Sequence, residues 1–422
     1  MLDGVLRVQL NLGRVARIER RGSALAVARN ALAVQPGDVL NLRAIQQSLE
    51  NLARLPSQAA QFQIEPSDEQ DASVLVMASA PARRWRVGAG LDNAAARDYG
   101  RLQATAQAVL DAPLGLSDQI ALFLNRSVRN EGGARHQGSA LLSYSIPFGH
   151  HLMSLSASRS SHARPIQGLA SRFSENGHDR SLQIRWQWTA WRSAAARWNV
   201  WGGATQRRSR NAVDEVELVL QRRDSRSADW GISGWLRVGT GELSLETDAA
   251  VSMRLAPYAD VQFDPPALPH ARRAQISWQQ PLNLGWHYDT RLAWAGVRDP
   301  ASGADLQNLG SRWSVRGFDA QGFLIGREQI TWRQDLRLAG FGLGAGLQAQ
   351  PYLGLDYGRV DASAAGGVTG GATGGVLAGA AIGLRWAGHG FSGDVALAAP
   401  LHKPADFAAS SAVIYSSLNF NY

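Results

Sequence analysis

The stretch Leu182-Gln183-Ile184-Arg185-Trp186-Gln187-Trp188-Thr189-Ala190 decides how the rest of the chain is read. Its apolar residues share one parity and its polar residues the other, the two-residue period of a strand with one greasy and one wet face. The same texture recurs from Arg84 to Tyr422. Ala274, Ile276 and Trp278 alternate with Arg273, Gln275, Ser277 and Gln279. Ile330, Trp332, Leu336 and Leu338 share a parity opposite Thr331, Arg333, Asp335 and Arg337. One such strand would serve a soluble sandwich equally well. Many in succession, with Trp on the apolar face and Arg or Asp on the other, predict a transmembrane antiparallel β-barrel with a wet lumen. In lipid every backbone polar group must be paired, so the sheet has to close.

Segments between turn signals number about sixteen, an even count as bacterial barrels require. Among them are 179–191, 196–208, 213–222, 227–240, 272–281, 326–338, 347–360 and 411–422. With the first strand rising from the periplasm, the short turns Pro147-Phe148-Gly149 and Pro281-Leu282-Asn283 fall on the periplasmic side. The longer stretches 161–178, 241–271, 298–325 and 361–373 then fall outside, the usual loop asymmetry. Glu242 to Met253 is also strand-like, but counting it breaks this parity, so it reads as the hairpin extension of an outer loop. Ile414, Leu418, Phe420 and Tyr422 share one parity in the last strand, and the chain ends on an aromatic residue.

Composition agrees. The 422 residues leave room for one large barrel and an appendage. With no cysteine, a disulfide framework and a thiolate metal site are excluded. No apolar run approaches the ~20 residues of a membrane-spanning helix. The net charge of +8 is carried by arginine, Lys403 being the sole lysine. The arginines are spread over alternating segments and not gathered on one patch or helix. They read as barrel lining and rim, so no nucleic-acid partner is expected.

The region before the barrel differs in character. Arg14 to Arg20 alternates as a short strand, and Ser23 to Val34 reads as a first helix. Asn41 stands ahead of Leu42, Ile45, Leu49, Leu52 and Leu55, an amphipathic helix with a cap, stopped by Pro56. Strands at Gln61 to Glu65 and Ser73 to Ala80 follow. The order β-α-α-β-β is that of a POTRA domain, a small α+β module whose exposed strand edge recruits extended segments by β-augmentation.

Within Ser311 to Phe323 lies Val315-Arg316-Gly317-Phe318. Arginine, glycine and an aromatic in succession suit a loop tip folded back into a confined space. The glycine permits a tight backbone, the guanidinium can clamp a carboxylate, and the ring can wedge against a wall.

These features together resemble a two-partner secretion transporter of the haemolysin secretion/activation type, over about residues 2 to 422. The carriers are Leu40-Asn41-Leu42-Arg43, Leu49-Glu50-Asn51-Leu52-Ala53-Arg54-Leu55-Pro56-Ser57, Gly90-Leu91-Asp92-Asn93, Asp111-Ala112-Pro113-Leu114-Gly115, Val315-Arg316-Gly317-Phe318 and Gly354-Leu355-Asp356-Tyr357-Gly358. The resemblance implies that the sixth outer loop, 298–325, folds into the lumen. There Arg316 pairs with Asp356 of the acidic strand motif, between Gly354 and Gly358. It implies a bacterial outer-membrane location with the POTRA domain in the periplasm. The implied partners are outer-membrane lipid, an unfolded cognate exoprotein such as a haemolysin or filamentous adhesin, and the barrel assembly machinery, which reads Phe420 and Tyr422 as an insertion signal.

Members of that family begin with a signal peptide, a plug helix, a linker and a first POTRA domain. Here Leu2-Asp3-Gly4-Val5-Leu6 resembles the last strand of that first domain. Residues 1–13 are thus expected to be its remnant, 14–82 a POTRA domain and 83–422 the barrel. No signal-peptide pattern opens the chain, so the outer-membrane placement is expected of a longer parent.

The expected function is type V secretion and, in the haemolysin case, activation of the exoprotein. A general barrel-insertion factor and a passive porin are the alternatives. No enzyme or cofactor is expected. His150-His151 sits in a turn without ligand-spaced partners. The Gly-rich run Ala365 to Gly375 lacks the Gly-Lys-Ser/Thr of a phosphate loop. Trp186, Trp188, Trp278 and Trp332 lie on the lipid-facing parity, where interface anchoring is expected in place of sugar binding.

Overall fold

The computed structural model describes residues 12–21, 29–79, 82–128, 135–167, 171–219, 222–254, 270–298, 305–361 and 374–422. The expectations for residues 1–11, for the start of the first helix at 22–28 and for most of the run 365–375 lie outside them.

The N-terminal module holds β1 (Arg14–Arg21), β2 (Ala60–Pro66) and β3 (Ala72–Ser79), in the order β1-β3-β2. β1 runs parallel and β2 antiparallel to β3. As the central strand, β3 buries Val74, Leu75, Val76 and Met77 alike, which is why its sequence is a continuous apolar run. The described part of Ser23–Val34 contains a 3-10 turn at Arg29–Ala31.

Helix α1 (Leu42–Ala53) starts at Asn41, whose side chain accepts from the Arg43 N–H at 2.9 Å. That satisfies one of the first-turn donors that have no partner inside the helix. Ile45 and Leu52 are buried, and Leu49 packs on the same core. Leu42, expected on this face, is instead 63% exposed. Helical side chains lean toward the N-terminus, so the first residue of the helix overhangs the sheet without covering it.

Sixteen long strands close into one antiparallel barrel. In order they are β4 (Trp85–Asp92), β5 (Gln103–Asp111), β6 (Gln119–Ser127), β7 (His136–Phe148), β8 (His151–Gln167), β9 (Arg172–Arg192), β10 (Ala196–Val213) and β11 (Arg223–Val238). There follow β12 (Gly241–Arg254), β13 (His270–Pro281), β14 (His287–Arg298), β15 (Glu328–Arg337), β16 (Leu347–Val360), β17 (Gly375–Gly388), β18 (Phe391–His402) and β19 (Val413–Asn421). β19 pairs with β4 from Ser417 opposite Asp92 to Asn421 opposite Gly88, which closes the ring. Leu182, Ile184, Trp186 and Trp188 are all exposed on the outer face, as are Ile330 and Trp332.

The strand count agrees with the sequence only because two segments trade places. Residues 213–222 are expected to cross the membrane; of these, the described residues 213–219 and Arg222 lie at an outer hairpin tip, and 220–221 fall outside the described residues. Asp214 and Glu215, at φ 47 and 70, reverse the chain, and Val216–Glu217 fold back onto Ala212 and Val213. Glu242 to Met253, expected to extend an outer loop, is the body of β12, reached through a tight turn with Gly239 at φ 59. Its alternation is genuine, and misplacing its predecessor hides it. The stretch 161–178, expected outside as loop, is mostly strand. There β8 and β9 continue outward, with Arg164 and Glu175 paired at 2.5 Å.

By compactness the chain divides into two units. The first takes in Met1–Trp85, Val109–Ile120 and Tyr144–Ser154; the second takes in Arg86–Ala108, Ala121–Ser143 and Leu155–Tyr422. Within the first unit, the chain around the end of α1 is tied to the turns that follow β5 and β7. The Ser57 hydroxyl donates to the wholly buried Asp111 carboxylate at 2.8 Å. Arg54 donates to the Ser145 hydroxyl at 2.7 Å and the Ser117 carbonyl at 2.6 Å. Asn51 and Asn30 side-chain amides donate to the carbonyls of Gly149 at 2.7 Å and Pro147 at 2.8 Å.

Candidate functional site

The loop between β14 and β15 begins and ends as a small ribbon, Gln307–Leu309 with Leu324–Gly326. Between these the chain turns tightly at Ser314, whose hydroxyl accepts from the Gly310 and Ser311 N–H groups at 3.1 Å each. That turn aims Val315 and Phe318 into an apolar knot with Leu309, Leu324, Val360, Leu377 and Phe407. The Phe318 and Phe407 rings meet edge to face, 5.6 Å apart at 85°. Burying a phenylalanine this fully is worth about 1.5–3 kcal/mol, enough to hold a loop in an otherwise wet interior.

Arg316 sits beside the knot and is 4% exposed. Its Nε and Nη2 donate to the two oxygens of Asp356 at 2.7 and 2.6 Å, and its backbone N–H donates to the same carboxylate at 2.8 Å. Nη1 forms an ion pair with Asp335 Oδ1 at 2.6 Å, and Nη2 also donates to the Gln334 carbonyl at 3.1 Å. Burial opposes the charge of Arg316, but Asp356 and Asp335 outweigh it and push the guanidinium pKa up. The group is a permanent cation at any physiological pH.

The barrel wall is carved to receive it. Asp356 lies on the inward parity of β16, between Gly354 and Gly358. A Cβ on Gly354 would fall on the Arg316 guanidinium, and one on Gly358 would come within 2.8 Å of Leu309 and Val315. Gly379 of β17, directly opposite Asp356, is closed to a side chain by the Arg316 carbonyl. Gly317 itself has φ 99, a left-handed conformation that disfavours L side chains, and its backbone lies against Ala399.

The charges continue beyond this pair. Arg333 Nε lies 3.6 Å from Asp356; Arg385 bridges Asp335 at 3.0 Å and Asp394 at 3.2 Å; Arg312 meets Asp394 at 3.1 Å. The result is an alternating chain Arg333, Asp356, Arg316, Asp335, Arg385, Asp394, Arg312 along the inner wall. Tyr415 of β19 clasps the backbone: its hydroxyl accepts from the Gly317 N–H at 3.1 Å and donates to the Phe318 carbonyl at 2.7 Å.

The structure thus brings Val315, Arg316, Gly317, Phe318, Gly354, Asp356 and Gly358 together. Leu42, Ile45, Leu49 and Leu52 lie in the N-terminal module, and Phe420 and Tyr422 are exposed at the end of the barrel. Sequence reasoning passed over Asp335, Arg385, Asp394, Arg312, Gly379 and Tyr415 as parts of this site. Asp335 stood on the polar parity and Tyr415 on the inward one, so their facing was readable; their partners depend on the path of the loop. Elsewhere the inner wall is also polar. Arg185 stacks on Trp201 at 3.9 Å, beside a cavity of about 300 Å³ lined by Glu246, Asp248, Arg273 and Gln275.

A closed sixteen-strand barrel behind a small α+β module, with an outer loop clamped to its inner wall, defines an outer-membrane transporter of the POTRA-bearing class. The chain belongs to the haemolysin secretion/activation protein family typified by ShlB, FhaC and HecB, whose model matches residues 71–386; a POTRA domain model matches residues 19–66. It is 27% identical to outer membrane transporter CdiB-2 of Burkholderia pseudomallei, over 96% of this chain and 70% of that one. It is 26% identical to hemolysin transporter protein ShlB of Serratia marcescens, over 85% of this chain and 64% of that one. The chain therefore spans roughly two thirds of the length of these relatives. In fold it matches CdiB from Escherichia coli with a TM-score of 0.88 at 22% identity, covering 98% of this chain and 77% of that one.

Proposed function

We propose that this chain secretes a large cognate exoprotein through its barrel, the cargo crossing as an unfolded polypeptide. The observation that carries the reading is the loop clamped into the lumen through Arg316 and Asp356. A chain of seven charged side chains fixes that loop in the lumen, where it meets whatever passes. A dedicated conduit needs such an element, to keep the path shut or to guide what passes. Residues 14–82 act as a periplasmic POTRA domain and residues 83–422 as the outer-membrane barrel. Among the described residues, the outer edge of β1 is bridged only at its start, Arg14 to Val39, while β2 pairs on one side only, with β3. The edge of β2, which carries no such bridge among the described residues, is where an extended cargo segment adds a strand. Folding of the cargo at the cell surface supplies the drive, since no nucleotide is available there.

The test is to produce the protein in the outer membrane, with and without Arg316→Ala, and to compare secreted proteins by mass spectrometry. Loss of one large secreted protein in the variant, with other outer-membrane proteins intact, is the expected result. Depletion of many outer-membrane proteins would instead indicate a general insertion factor, and an unchanged secretome would refute the proposed role of Arg316.

A further inference from the structure

A groove of about 440 Å³ opens on the outer face of the barrel across β6 to β10, away from the lumen and its loop. Its floor is apolar, with Leu122, Leu142 and Leu182, and its rim carries Arg159, Arg180 and Arg208. All six face outward and are exposed.

The arginines stand at one level. On β9, which descends from the outside, Arg180 immediately precedes the apolar series Leu182, Ile184, Trp186 and Trp188. On the ascending β8, Arg159 immediately follows Met153, Leu155 and Ala157. The cations thus sit just beyond the apolar band on its external side, at the depth of lipid headgroups.

Two observations show that the rim is short of counter-charge at Arg159 and Arg180. Arg180 and Arg208 are directly opposed across β9 and β10, and like charges in that position repel. Arg208 has Asp224 at 3.2 Å, but among the described residues neither Arg159 nor Arg180 has an acidic partner. Arg226, Arg272 and Arg359 also face outward just beyond the apolar residues of their strands. What singles out the β6–β10 site is the apolar groove beneath its arginines.

We infer that this groove binds a phosphorylated lipid of the external leaflet, with an acyl chain along Leu122, Leu142 and Leu182 and a headgroup phosphate between Arg159 and Arg180. Guanidinium forks match phosphate oxygens bidentately and tolerate partial dehydration better than an ammonium does. The anion also relieves the repulsion between Arg180 and Arg208. The site is independent of the secretion reading, because nothing in it faces the lumen.

Native mass spectrometry of the full chain in detergent, titrated with diphosphoryl lipid A, tests the inference. Heat-modifiable mobility on gels checks that each variant is a folded barrel. The wild type is expected to retain one lipid. Arg159→Gln/Arg180→Gln should lose about tenfold or more in affinity, the loss of charge-assisted hydrogen bonds. Arg272→Gln/Arg359→Gln, which removes the same charge outside the groove, should leave affinity unchanged. Equal loss in both double variants would reduce the effect to general surface charge and overturn the site. Displacement of the lipid by millimolar inorganic phosphate would overturn it too, by showing a simple anion site. If the groove variant fails to assemble, the wild type decides alone: equal retention of dephosphorylated lipid A would sink the inference.

Discussion

Arg316 is the residue whose removal should cost most. Arg316→Ala would leave buried Asp356 with the residue 316 N–H and, as its one remaining cation among the described residues, Arg333 at 3.6 Å, and would strip Asp335 of one of its two cations. Breaking one side of a buried pair costs about 3–5 kcal/mol, because the orphaned charge stays desolvated. Urea unfolding of the barrel in lipid vesicles, followed by tryptophan emission, should show a loss of that order. Arg316→Lys should recover only part of it, since a point charge cannot reach both Asp356 oxygens and Asp335 at once. Tyr415→Phe removes two hydrogen bonds to the loop backbone and should cost less, about 1–3 kcal/mol, read as faster proteolysis within the loop. The sequence exposed Arg316 and Asp356 because each sits in a short pattern of its own. Asp335 and Tyr415 sit in none, and only the folded path of the loop brings them to Arg316.

At the scale of elements, the link between α1 and the turns of its unit offers a separate test. Asp111 accepts from Ser57 at 2.8 Å and from the Gln119 side chain at 3.0 Å. Asp111→Ala would leave both donors short of a partner, at about 1–3 kcal/mol for each buried group left unsatisfied. Hydrogen exchange of residues 112–118 should quicken, with barrel strands outside this unit unchanged; protection as in wild type would refute the link. Ser57 and Asp111 both lie in motifs visible in the sequence, but nothing in the sequence said that the two motifs touch. An outer hairpin offers a pH test. Arg222 binds Glu217 through two hydrogen bonds, at 2.8 and 2.6 Å, and holds its carboxyl below the ordinary range. A depressed carboxylate pKa contributes stability above the unfolded value, about 4.3 for glutamate, and loses it as pH falls through the folded value. Arg222→Gln should move the Glu217 titration, followed by NMR, upward toward that ordinary value. The neighbouring strand misassignment has a related cause. The sequence 213–222 alternates in apolarity like a membrane strand, and it is the reversal at Asp214 and Glu215 that folds Val216 and Glu217 back onto Ala212 and Val213.

At the scale of the whole molecule, alternation repeated over many successive strands was enough to predict a barrel, since closure is the only way to satisfy a sheet in lipid. What alternation does not carry is where the ring is sealed. β19 meets β4 over a short register, and the seal continues into the last residue: Tyr422 N–H donates to the Val87 carbonyl at 2.9 Å, and Val87 N–H donates to the Tyr422 carbonyl at 3.2 Å. Phe420 adds a tilted ring contact with Phe391 at 4.9 Å. Deleting Phe420 to Tyr422 would remove both backbone pairing and aromatic packing, leaving an open edge that lipid does not tolerate. The expected result is no heat-modifiable barrel, whether the chain is refolded into vesicles or expressed in cells. Phe420→Ala/Tyr422→Ala separates the two contributions, because it keeps the backbone ladder and removes only the rings. If the rings are the feature that an assembly machinery reads, this variant should refold in vesicles yet fail to accumulate in the outer membrane. Failure in both settings would make the aromatic pair a structural part of the seal, and success in both would leave the backbone register alone responsible for closing the ring.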